Sequence, residues 1–185
     1  MVKINTCVFI SGRGTNLKKL ILSANGYNFP IKIKFVVCNN KNAPGLKFAK
    51  KWSVPYYIHN SNKNLAESKL LIKLKNHKIN LILLAGYMKI LSRRFIRTFG
   101  KTIINIHPSL LPKFKGLDTF KKVLDKKEKK TGCTVHHVNE EIDGGKIILK
   151  KFFYVDKNDS IESLKKKTQS LEYKAFSEAV IKVFK

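Results

Sequence analysis

The chain has 185 residues with an apolar share of 43% and an aromatic share of 10%, which excludes a disordered segment and makes one domain the simplest expectation. It contains no run of about 18 consecutive apolar residues, so no membrane-spanning helix is expected, and Met1-Val2-Lys3-Ile4-Asn5-Thr6 lacks the apolar stretch of a secretory signal. The formal net charge is +26, yet arginine stands only at positions 13, 93, 94 and 97. A nucleic-acid reader is expected to use more of arginine's planar fork, so the charge reads as a solvated lysine surface that attracts anions in general, with no specific nucleic acid.

The elements alternate from the start. Ile4–Ile10 reads as a buried strand, and Leu17, Leu20, Ile21 and Ala24 then recur at helical spacing. Between them lies Ser11-Gly12-Arg13-Gly14-Thr15-Asn16, where glycines and a helix start can admit an anion. A dinucleotide loop is disfavoured, because Leu17 takes the place of a third glycine and Cys38-Asn39-Asn40 supplies no acid for a ribose. A loop for a single phosphate fits better, with a plain glycine turn as the alternative.

Ile31–Cys38 is a second strand, Lys47–Trp52 a short helix, Tyr56–Ile58 a brief strand, and Ser61 to Asn76 a basic helix. Ile79–Ala85 and Thr102–Ile106 are further apolar strands, stopped by Gly86 and Pro108. This β-α-β-α order implies a parallel sheet covered by helices. Beyond it, Thr131–Val138 and Lys146–Val155 flank the turn Asp143-Gly144-Gly145, which implies an antiparallel addition. A long last helix is expected to open on a capping box of Asp159 and Glu162, with Ile161, Leu164, Leu171, Ala175 and Ala179 along one face.

Chemistry concentrates in Asn105-Ile106-His107-Pro108. Alternate residues of a strand share a face, so Asn105 and His107 project together at a strand end while Ile106 enters the core. An amide donor beside an imidazole can stabilise an oxyanion and move a proton. Asp143 is the natural carboxylate partner, and a carboxylate near His107 would raise the pKa of the ring. Residue order leaves open whether Asp143 reaches His107 or only forms its turn. Cys7, Cys38 and Cys133 are widely spaced with no CxxC, so neither a metal site nor a disulfide framework is expected, and a reducing cytoplasm suits the chain.

Three segments in this order and spacing carry a resemblance: Asn105-Ile106-His107-Pro108-Ser109-Leu110-Leu111-Pro112-Lys113, Gly132-Cys133-Thr134-Val135-His136, and Asp143-Gly144-Gly145. With Ser11 to Leu17 and Ala85-Gly86-Tyr87-Met88-Lys89-Ile90-Leu91, they resemble the formyltetrahydrofolate-using transferases over essentially the whole chain, most closely the branch acting on glycinamide ribonucleotide. The resemblance implies a single Rossmann-like α/β domain over residues 1–185, mostly parallel with antiparallel strands added in the C-terminal half and helices on both faces. It implies formyl transfer from 10-formyltetrahydrofolate to the amine of the ribonucleotide, without a metal, in a monomer or weak homodimer.

By the same resemblance Asn105, His107 and Asp143 are catalytic, and Thr134 places a hydroxyl near the histidine. Gly14, Thr15, Asn16, Gln169 and Glu172 hold the ribonucleotide. Lys63, Met88, Lys89, Ile90 and Leu91, together with Asn105, Asn139, Glu140, Glu141, Ile142 and Asp143, contact the folate. The Leu111-Pro112 bond is expected to be cis. Lys89, Phe120 and Tyr173 depart from the family's usual arginine and histidines, and altered affinity is the expected consequence. The sibling acting on initiator tRNA normally has a further C-terminal domain and the hydrolase an N-terminal one, so the length of the chain disfavours both.

Overall fold

The computed structural model describes residues 2–59 and 64–184. Its internal contacts divide the chain into two compact units, Met1–Ile104 and Asn105–Lys185.

The first unit is built from parallel strands. β1 (Ile4–Ile10) pairs with β2 (Ile31–Cys38) and with β4 (Leu81–Leu84), and β2 pairs with β3 (Tyr56–Ile58), all in parallel. The order is β3-β2-β1-β4, which makes β1 central. A strand covered on both faces runs largely apolar, and Cys7 to Ile10 are fully buried, while the buried Thr6 hydroxyl donates to the Ile4 carbonyl at 3.0 Å. α1 (Thr15–Ala24) buries Leu17, Leu20 and Ile21, the face expected from their spacing. α2 (Leu46–Lys51) and α3 (Asn64–Asn76) also match expectation, residues 61–63 of the latter lying outside the described residues.

α4 (Arg93–Phe99) is absent from the sequence reading. Its bounds are nonetheless chemical: the Ser92 hydroxyl accepts the Phe95 N–H at 3.0 Å, and Gly100 ends the helix at φ 58°. Phe95 is fully buried and meets Phe9 edge-on at 6.4 Å. β4 is shorter than the apolar run Ile79–Ala85, because Lys78 still sits at φ 51° and the Ile79 N–H donates back to Leu74 of α3.

β5 (Thr102–His107) runs across the boundary, and its last three residues open the second unit, where the order is β5-β6-β7. β6 (Lys130–His137) and β7 (Ile147–Tyr154) pair antiparallel. α5 (Thr119–Asp125) follows the loop after β5, and α6 (Ile161–Phe184) closes the chain. α6 packs on β6 and β7, burying Leu164, Thr168, Ala175, Phe176, Ala179 and Val180. Leu171 is only half-buried and Ile161 is exposed.

The capping box lies one residue later than expected. Ser160 and Ser163 each accept the other's backbone N–H, at 2.9 and 3.2 Å, while Asp159 holds Lys167 at 2.7 Å. A serine pair fits the two short bonds, and Asp159 has a stronger partner in a cation. The Leu111-Pro112 bond is cis. Among the described residues no helix is long and apolar enough to cross a membrane.

Candidate active site

The last residues of β5 supply two of the three expected groups. Ile106 is buried, and Asn105 and His107 lie on the opposite face, both directed at Asp143. Asp143 Oδ2 is 3.3 Å from His107 Nδ1 and accepts the Gly116 N–H at 2.9 Å. Its Oδ1 accepts from Asn105 Nδ2 at 3.4 Å. The three side chains therefore meet, which residue order left open.

The turn that brings Asp143 there does not bend where its glycines suggest. Asp143 itself adopts φ 49°, in the left-handed region. Gly144 and Gly145 serve for close approach instead: a Cβ on Gly145 would come within 1.8 Å of the His137 carbonyl oxygen, and one on Gly144 within 2.6 Å of the Glu141 side chain. An Asp tolerates the left-handed conformation better than most residues, and here its carboxylate accepts from the Gly116 N–H and the Asn105 amide.

His107 has an acceptor on each side. Nε2 donates to the Phe114 carbonyl at 2.9 Å and so carries a hydrogen in the neutral ring as well as in the charged one. The proton that separates the two forms belongs to Nδ1, against Asp143. Burial lowers the pKa of His107 from its ordinary value, against the pull of the Phe114 carbonyl and the Asp143 charge, and His136 and Lys122 add to the lowering. The carboxylate acts in the expected direction, but burial of a ring only 7% exposed outweighs it. For Asp143 burial works upward, yet neighbouring His136, the bond from the Gly116 N–H and the charge of His107 hold its carboxyl below the ordinary value.

Two further side chains complete the cluster. His136, buried on β6, donates from Nδ1 to the His137 carbonyl at 2.8 Å, so the Nε2 of its neutral ring accepts from Asn105 Nδ2 at 3.2 Å. Nε2 also lies 3.5 Å from Asp143 Oδ1. Together these contacts orient the amide of Asn105 with its nitrogen inward. In the sequence His136 stands out only as the last residue of Gly132-Cys133-Thr134-Val135-His136. Its signal was the alternation with Thr134 on β6, which sets both on one face. Thr134 is fully buried and staples the turn after His107, donating to the Ser109 carbonyl at 2.7 Å and accepting the Leu111 N–H at 3.0 Å.

Other expected residues occupy distinct places. In the first unit Gly14 is the N-cap of α1 at φ 66°, with no side chain capping the helix. A Cβ there would lie 2.6 Å from Gly45 Cα, while the Gly45 N–H donates to the Gly12 carbonyl at 2.9 Å. The loop is thus backbone packed on backbone, and Gly45 is a partner that no local motif announces. Thr15 is half-buried and Asn16 buried at the start of α1. In the same unit Met88 and Ile90 are 70% and 73% exposed and Lys89 is exposed, while Leu91 is buried. Lys63 lies outside the described residues.

In the second unit Gln169 and Glu172 are half-buried on α6. Glu172 stands near Cys133, whose thiol is pushed up to about 12 by burial first and by that carboxylate second. Asn139 and Glu141 are exposed and joined by an N–H bond to the Asn139 side chain at 3.1 Å, Glu140 is half-buried, and Ile142 is 54% exposed. Phe120 and Tyr173 are both half-buried. Among the described residues no group of three or more His, Cys, Asp or Glu is placed to hold a metal ion.

Residues 4–180 match the formyl transferase family. A phosphoribosylglycinamide formyltransferase of Haemophilus influenzae is 40% identical over 181 residues, covering 96% of this chain and 85% of that protein. The trifunctional purine biosynthetic protein adenosine-3 of Gallus gallus is 38% identical over 182 residues, which are 96% of this chain and 18% of that protein. The crystal structure of phosphoribosylglycinamide formyltransferase from Brucella melitensis is similar with a TM-score of 0.92 at 36% identity, over 98% of this chain and 95% of that one. The expected fold class, a mixed α/β sheet with a parallel core and antiparallel C-terminal strands, is therefore that of these enzymes. The chain belongs to the formyl transferase family, among its phosphoribosylglycinamide formyltransferases.

Proposed function

We propose that this chain transfers the formyl group of 10-formyltetrahydrofolate to the amine of glycinamide ribonucleotide, a step of purine synthesis, with residues 1–185 acting as one formyltransferase domain. The observation that carries the mechanism is the meeting of Asn105, His107 and Asp143 at the end of β5. The amine attacks the formyl carbon, and the carbonyl oxygen becomes an oxyanion in a tetrahedral intermediate. That oxyanion takes the Nε2 hydrogen of His107 in place of the Phe114 carbonyl, and a hydrogen of Asn105 Nδ2, whose present bonds of 3.2 and 3.4 Å are long enough to yield. The proton shed by the amine passes toward Asp143, where carboxylate and Nδ1 share it. It then reaches the folate nitrogen as the carbon–nitrogen bond to the folate breaks, so tetrahydrofolate and the N-formyl product leave with atoms balanced.

Gly14, Thr15 and Asn16 bind the substrate phosphate through a loop whose glycine N-cap, free of any capping side chain, admits an anion to the start of α1. Gln169 and Glu172 hold the remainder of the ribonucleotide. Met88 to Leu91 and Asn139 to Asp143 line the folate, in keeping with exposed Met88, Ile90 and Ile142 that await apolar cover. Lys63 pairs with the acidic tail of the folate.

Turnover of 10-formyltetrahydrofolate, with and without glycinamide ribonucleotide and with His107→Ala alongside, tests this. Consumption that requires the ribonucleotide and is lost in the variant is expected. Consumption without the ribonucleotide would replace the proposal by hydrolysis, and transfer only to charged initiator tRNA would replace it by the sibling activity.

A further inference from the structure

Between β4 and α4 the chain buries Ala85 and Leu91 and sets Tyr87 edge-on against Phe9 at 5.2 Å, yet it presents Met88 and Ile90 almost bare, at 70% and 73% exposure. Side chains so exposed do not hold a segment in place by packing. Polar bonds at its two ends do. At the near end the Ser11 N–H donates to the Gly86 carbonyl at 3.2 Å, and the Met88 N–H donates to Ser11 Oγ at 2.7 Å. At the far end Glu67, half-buried in the first turn of α3, grips Ser92 with both oxygens. Its Oε1 accepts the Ser92 N–H at 3.3 Å and its Oε2 the Ser92 hydroxyl at 2.5 Å.

The second grip fixes more than a distance. Because the Ser92 hydrogen is committed to Glu67, a lone pair of the same oxygen faces the Phe95 N–H, which it accepts at 3.0 Å. One hydroxyl thus caps α4 and ties the end of the 88–91 segment to α3. An ionised acceptor makes that tie stronger than a neutral one.

We infer that Glu67 is a positioning residue for the donor substrate: through Ser92 it holds Met88 to Leu91 in the conformation that receives the folate. The inference rests on the reading of that segment as the folate wall. It requires no contact between Glu67 and the folate. The cost of ordering the segment is met in the resting protein, so loss of the tie appears as weaker donor binding and leaves the chemical step alone.

The test uses the full-length enzyme and measures tetrahydrofolate affinity by calorimetry, together with kcat and both KM values, and thermal melts as a check of folding. Glu67→Ala removes both acceptors. Ser92→Asp keeps a good cap for α4 but sets a second carboxylate against Glu67, so it breaks the tie in a helix that still starts correctly. Glu67→Gln added to Ser92→Asp restores a bond of reversed polarity, the amide N–H donating to the new carboxylate. Each single change is expected to weaken tetrahydrofolate roughly tenfold, with kcat and the KM for the ribonucleotide within about twofold, and the double change to recover most of the loss. If Glu67→Ala fails to fold, the Ser92→Asp pair decides alone. Ile90→Ala serves as the reference for the wall itself. Should Ile90→Ala weaken tetrahydrofolate while the folded tie variants bind it like the parent, the inference is overturned. Should Ile90→Ala also leave binding intact, the folate reading of the segment fails and the inference fails with it.

Discussion

The glycine loop of the first unit and the Asn105–His107–Asp143 cluster of the second are built in opposite ways. The loop takes its form from backbone: Gly12, Gly14 and Gly45 are pressed together without side chains between them, and its proposed use lies in the shape and N–H groups that remain. The cluster is all side chains, each oriented by another: His136 aims Asn105, the Gly116 N–H and Asn105 hold Asp143, and Phe114 and Asp143 bracket His107. A change in the loop acts through geometry and is felt by the whole unit, whereas a change in the cluster removes a chemical function and leaves the scaffold standing.

Asp143→Asn puts that contrast under the greatest strain. Its shape is conserved, but the charge beside Nδ1 is gone, and kcat is expected to fall about a thousandfold with tetrahydrofolate affinity and melting temperature nearly unchanged. Single-turnover kinetics with both substrates checks this; full activity would demote Asp143 to a turn former. Gly45→Ala probes the other construction. Its Cβ would stand 2.7 Å from the Gly12 carbonyl oxygen and 2.8 Å from Gly14 Cα, so backbone must move. A loss of about 1–3 kcal/mol in stability and a raised ribonucleotide KM are expected, with the folate KM little altered. Unchanged melting would show that the loop yields without cost.

The smallest effect is on a titration. His107 is expected to titrate below an ordinary histidine, and below that again in Asp143→Asn, because the charge removed there was raising it. Since the folded-state value is depressed, the unfolded chain binds more protons just below the ordinary value, and this residue's share of stability falls as pH drops through that value. Proton NMR of the imidazole resonances measures both shifts; an upward move in the variant would reverse the assigned sign.

These contrasts also explain what the residues disclosed in advance. β1 and β2 could be bounded to the residue because each ends in a buried, continuous apolar run, Cys7 to Ile10 and Phe35 to Cys38, cut off by a polar position. β3, exposed at Tyr56 and Ile58, is instead a short run between Pro55 and His59. Asn105 and His107 were legible because a two-residue period at a strand end sets them side by side. α4 had its signals, Ser92 before it and Gly100 after it, but its seven residues carry three arginines and little periodicity. What stayed hidden were contacts between segments remote in the chain: Gly45 against Gly14, Glu67 under Ser92, His136 behind Asn105. The sign of the His107 shift was hidden for a similar reason, since a neighbouring carboxylate can be inferred from a motif, but the depth at which the ring is buried depends on the whole second unit.

The Phe114 carbonyl at His107 Nε2 has one more consequence. An acceptor that belongs to the chain is always present, at a strength that neither dilution nor dialysis changes. In the proposed mechanism a substrate oxygen entering the site exchanges one hydrogen bond for another at this nitrogen, and only the difference between the two contributes to binding. A neutral ground-state carbonyl offers almost no difference, while an oxyanion offers a large one. On that proposal the chain's own backbone subtracts the part of the interaction that would hold the substrate and leaves the part that appears when charge develops, so that a plain peptide oxygen works as the blank against which the transition state is read.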